Sequence, residues 1–218
     1  MRYPGLRAST ILLLLFACGG SEKRVVDQYF NAVRAKDNQT ISSFAAVSFD
    51  KPVESWKIIS ATAETKAPAT LPDLAKKLQD LEKQIADNKK DAQRWNNDHF
   101  GDLDQVRDLR KKNAAIPARL QGVAADWDKF NEKDRDLKKQ AAEAREAFEK
   151  EKRNVKLSVG DVERVETLPG EMLTQDVEVQ VTAKGESAAY TMGLRKYELQ
   201  REGPRLVSRW MVYTIQPK

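Results

Sequence analysis

Between residues 70 and 153 the chain reads as two amphipathic helices whose apolar stripes face each other, and that segment limits what its flanks can be. Leu71, Leu74, Leu78, Leu81 and Ile85 step by three and four, and Ala92 and Trp95 resume the row after a polar turn. After Pro117 a second row runs through Leu120, Val123, Trp127, Phe130, Leu137, Ala141, Ala144 and Phe148. The rest of the segment is dense in Lys, Asp, Glu, Gln and Ala, with almost no β-branched clusters. The pattern predicts an antiparallel coiled-coil hairpin joined near Asn113 to Pro117. Asn88, His99 and Asp134 fall on or near the rows, and Gly101 and Gly122 invite kinks. An unbroken arm of some 35 to 40 residues would project roughly 50 to 60 Å.

Neither flank is a credible domain alone. Val25, Val26, Tyr29, Phe30 and Val33 predict a helix over about 22–36, and Ile41, Phe44, Ala45 and Val47 a second over about 39–49. Beyond Pro52 the period becomes two, so Trp56 to Ala61 reads as a strand. After the hairpin, Val155, Leu157 and Val159 alternate, as do Val177, Val179 and Val181. Lys184-Gly185-Glu186 marks a turn, after which Tyr190, Met192 and Leu194 face one way and Tyr197 and Leu199 the other. Glu202-Gly203-Pro204 marks another turn before a last strand over Leu206 to Tyr213. A sheet must cover a face, so the N-terminal helices are expected to pack on the C-terminal strands. The expected fold is α+β: a curved antiparallel sheet of about five strands, built from residues 18–69 and 154–218, with residues 70–153 inserted.

The first residues carry an address. Arg2 and Arg7 precede a short apolar core, Ile11 to Phe16, far below the roughly 20 residues a membrane-spanning helix needs. Leu15-Phe16-Ala17-Cys18 resembles the lipobox of bacterial lipoproteins, with Phe16 bulkier than the residue usual at its position. The resemblance implies a signal peptide over 1–17 and lipid on Cys18, which becomes the new N-terminus and the point of membrane attachment. Cys18 is also the single cysteine, so it has no disulfide partner within the chain. Gly19 in place of Asp after the cysteine is similar to lipoproteins sent to the outer membrane, facing the periplasm.

The order helix, helix, strand, then long antiparallel meander resembles the nuclear transport factor two-like superfamily, a cone-shaped α+β fold. Val25 to Asp37 is similar to its first helix and Arg205 to Val212 to its last strand. The third helix usual in that fold is not evident, and the hairpin stands in its place. The resemblance implies a cup, and Tyr29, Phe30, Trp56, Tyr190, Tyr197 and Trp210 are the rings that would line it or else fill the core.

Little in the sequence points to a reaction. There is one histidine, His99, and it falls in the arm; with one cysteine beside it, no Cys/His metal set and no Ser-His-Asp set can be assembled in the flanking blocks. There is no glycine-rich phosphate loop, and no cofactor is expected. Asp161, Glu163, Glu166 and Asp176 are scattered carboxylates near strands. Taking Arg2 and Arg7 from the 38 Lys and Arg leaves a surplus of three over the 33 Asp and Glu, with both signs interspersed. That mixing argues against a nucleic-acid surface. The reading is therefore a non-enzymatic envelope lipoprotein whose arm, residues 70–153, serves a protein partner or acts as a spacer. The alternatives are a binding module with a small apolar ligand in the cone, and an isomerase or hydrolase.

Overall fold

The computed structural model describes residues 20–203, 206 and 208–218. The expected signal peptide and Cys18 lie outside the described residues. Two helices open the described chain, α1 (Ser21–Ala35) and α2 (Asn38–Phe44). The edge strand β1 (Ser55–Ala61) and the short β2 (Thr65–Pro68) follow. Then come α3 (Leu71–Asp98), α4 (Phe100–Lys111) and the 42-residue α5 (Ala118–Val159). After a 3₁₀ turn at Val165–Thr167, the chain ends in β3 (Gly170–Ala183), β4 (Glu186–Leu199) and β5 (Met211–Pro217).

The five strands form one open antiparallel sheet in the order β1-β3-β4-β5, with β2 pairing the same edge of β3 as β1 does. Residues 55–68 thus run along β3 as one interrupted edge, with a bulge between Ile58 and Ser60. The β3–β4 hairpin turns on Lys184 (φ 53°) and Gly185 (φ 78°). Two successive positive φ values match the twist of the flanking strands, which is why glycine is useful there.

The sheet is covered on both faces. On one, α1 and α2 pack Val26, Tyr29, Phe30 and Phe44 against Val177, Val179, Val181, Tyr190, Met192 and Leu194. On the other, Tyr197, Leu199 and Met211 meet Leu71 of α3, Val155 of α5 and Val165. The change of face along β4, between Leu194 and Tyr197, follows the predicted alternation.

The strand expected over Val155–Val159 is instead the last turn and a half of α5. The buried residues there are Glu151, Asn154, Val155 and Ser158, spaced as on a helix. Three of those four are polar, so an apolar-only reading sees just the accidental alternation of Val155, Leu157 and Val159. The fifth strand is β2, which carries no apolar alternation because all four of its residues are exposed.

The last strand begins at Met211, five residues later than expected. The cause is Ser158: its hydroxyl accepts the Tyr197 N–H at 3.1 Å and its carbonyl accepts the Arg209 N–H at 3.0 Å. The end of α5 therefore takes the place beside β4 that Arg209 and its neighbour Trp210 would need.

Candidate functional site

α3 and α5 run antiparallel, and the apolar side chains that α5 shares with α3 and with α4 fall into two separate clusters. Near the sheet, Leu81 packs with Leu137, Ala141 and Ala144, flanked by Leu78 and Ile85. Near the far end, Val106 of α4 packs with Leu120 and Ala124 of α5. Between the clusters the stripe changes character. Asn88 occupies an inward position at 3% exposure; its amide donates to the Phe130 carbonyl at 3.3 Å, and its Oδ1 has no partner. A buried acceptor left without a donor is costly, on the order of 1 to 3 kcal/mol.

Beside Asn88 opens a groove of about 850 Å³ lined by Ile85, Asn96, Arg107, Trp127, Phe130 and Asn131 among others. Aromatic stacking frames it. His99 lies on Trp95 at 4.4 Å and 16°, Trp95 on Trp127 at 6.1 Å and 21°, and the Arg107 guanidinium sits 5.2 Å from the Trp127 ring. Arg107 also donates to Asn96 Oδ1 at 3.0 Å. These flat groups come from α3, α4 and α5 and meet where the first arm helix breaks at His99. His99 is therefore a packing element of the joint, its Nδ1 3.0 Å from the Trp95 carbonyl. The break precedes Gly101, and α5 passes Gly122 uninterrupted. Trp95 and Trp127 were legible in the sequence as large rings on the stripe; Arg107 and the open groove were not, because a lone arginine in a charge-rich helix carries no signal.

Where the start of α3 and the end of α5 meet the sheet lies a buried polar network that the sequence did not disclose. Glu151 accepts from Tyr197 at 2.8 Å, Thr70 at 3.0 Å, Arg195 at 3.2 Å and Asn154 at 3.3 Å. Arg195 lies 3.6 Å from the centre of the Tyr213 ring, and its Nε is buried without a partner. Burial, with the Glu151 carboxylate beside it, pushes the Tyr197 hydroxyl well above its ordinary value. The network ties the start of α3, the end of α5 and strands β4 and β5 into one joint.

The six rings expected to line a cup do not share one cavity. Tyr29, Phe30, Tyr190 and Trp210 are buried in the cluster under α1 and α2, whereas Tyr197 belongs to the cluster on the other face. Tyr29 meets Phe30 edge-on at 5.4 Å, and Phe30 stacks on Trp56 at 5.6 Å. Trp56 is half-buried and donates to Asp27 at 2.9 Å at the margin of a surface groove between α1 and β1. Of the scattered carboxylates, Asp161 and Glu166 are ion-paired with Lys156 and Lys152, and Asp176 lies on β3.

No family profile matches this sequence, no characterised protein matches it, and no solved structure matches its fold.

Proposed function

We propose that the chain is a non-enzymatic lipoprotein of the bacterial cell envelope, tethered through lipid on Cys18, whose helical arm engages a protein partner. In this reading residues 70–153 are an antiparallel coiled-coil hairpin inserted into a cone-like α+β domain of the nuclear transport factor two-like kind. The observation that carries it is the contrast between the two parts. The rings of the base are packed against one another, whereas the arm's stripe is interrupted midway by a groove beside Asn88, whose buried amide oxygen has no partner. Energetic hot spots at interfaces favour such partly covered tryptophan and arginine groups. The order of α1, α2, β1 and the β3–β5 meander supports the cone-like base. The anchoring half is tested by metabolic labelling with a palmitate analogue. Wild type should label and Cys18→Ser should not, because a hydroxyl cannot carry the thioether-linked lipid; unlabelled wild type removes the lipoprotein reading.

A further inference from the structure

A second groove, away from the arm's middle, has the make-up of an amphiphile site. It lies between α2 and the C-terminal third of α5, is about 500 Å³ in volume, and has an apolar floor of Ala45, Ala46 and Leu157. Lys150, Arg153 and Lys156 line it, three residues apart, which on a helix confines them to an arc of about 120°. Ser42 faces them from α2. Arg209 fastens the two walls together, donating to the Leu157 carbonyl at 2.9 Å and to the Ser43 carbonyl at 2.7 Å. Lys156 is shared with Asp161 at 2.8 Å, whereas Lys150, Arg153 and Arg209 have no carboxylate partner among the described residues. An apolar floor under a cationic rim is complementary to a ligand with a short apolar portion beside an anionic head. We infer that this groove binds an anionic phospholipid, the phosphate on the Lys150–Arg153 rim and the upper acyl segment on Ala45, Ala46 and Leu157. The inference does not depend on the arm having a partner.

The test uses the full chain carrying Cys18→Ser and soluble short-chain lipids below their micelle threshold, with binding read by titration. Dihexanoyl phosphatidylglycerol should bind, and dihexanoyl phosphatidylcholine should bind much more weakly. Lys150→Gln with Arg153→Gln should weaken the anionic lipid at least about tenfold, since each cation near an anionic lipid contributes roughly a fivefold factor. Lys133→Gln with Arg135→Gln, the same charge change on the arm, should leave it unchanged. Ala46→Trp, which fills the floor without altering charge, should weaken the lipid but spare inorganic phosphate. The inference is overturned if wild type binds neither lipid, if both lipids bind alike, or if the arm control loses as much as the groove variant. It is also overturned if inorganic phosphate binds as tightly as the lipid, which would make the groove a free-anion site.

Discussion

Removing the charge from Glu151 while keeping its shape asks whether the arm's root is held by one coupled unit. Glu151→Gln retains an oxygen for Thr70 and Tyr197, but it leaves the Arg195 guanidinium buried beside an amide, with its Nε already unpartnered. The Arg195 side chain is only 13% exposed, so solvent cannot replace the lost anion, and breaking a buried pair from one side costs about 3 to 5 kcal/mol. The retained hydrogen bonds and the Tyr213 ring place the expected loss near the lower end, about 3 kcal/mol. Arg195→Met breaks the same pair from the other side and should also cost about 3 kcal/mol, the lower end of that range, because three neutral donors stay on the carboxylate. The double variant removes both charges, and Asn154 can turn its side chain to present an oxygen to the amide introduced at position 151. Its loss should fall short of the sum of the single losses by at least about 1.5 kcal/mol. Urea titration with an unchanged slope measures each term. Losses that add to within about 0.5 kcal/mol would refute the idea that these groups act together.

Alkaline pH probes Tyr197 of that joint together with Tyr29 of the cluster on the other face. Burial raises the Tyr29 and Tyr197 hydroxyls above their ordinary value near 10, so both are neutral in the fold at pH values where the unfolded chain ionises them. Their contribution is complete below pH 10 and declines as pH rises beyond it, by up to about 1.4 kcal/mol per pH unit for each tyrosine. Tyr197→Phe should make the decline between about pH 10 and 11 shallower in denaturant titrations, and an unchanged slope would contradict the assignment. Excising Lys77 to Glu146 and joining the stumps with a short Gly/Ser loop should leave the base folded. Both sides of the arm's apolar stripes leave together, while Leu71, Phe148 and Val155 stay on the sheet. Loss of cooperative unfolding in that shortened chain would show the arm to be part of the base's core.

The sheet was legible wherever apolar residues carried the period. The face change between Leu194 and Tyr197 and the turn at Lys184-Gly185 could be read because branched and aromatic side chains alternate cleanly there. What escaped was carried by polar residues. The buried end of α5 uses Glu151, Asn154 and Ser158 in place of leucines, and β2 is an exposed edge held by its backbone pairing to β3 and by polar side-chain contacts such as Lys66 with Glu171. The joint of Glu151, Arg195 and Tyr197 brings α5 against β4 from 44 and 46 positions away, and nothing local marks them. Asn88 could be read as a break in the stripe, but not as an acceptor lacking a partner, since that depends on where the Phe130 carbonyl lies. Most of the six rings of the expected cup do face inward, but hydrophobicity alone cannot tell a lined cavity from a filled core.

The claim that the arm's middle is the working surface is tested by site-specific photo-crosslinking in the native envelope. A photoactivatable residue at Gln93 or Asn131, on the groove, should yield one discrete adduct. That adduct should disappear when Trp127→Ala removes the ring from the groove wall. The same probe at Lys57, on the exposed edge of the sheet, should not give it. Adducts of equal yield from all three positions, or an adduct indifferent to Trp127→Ala, would contradict the account.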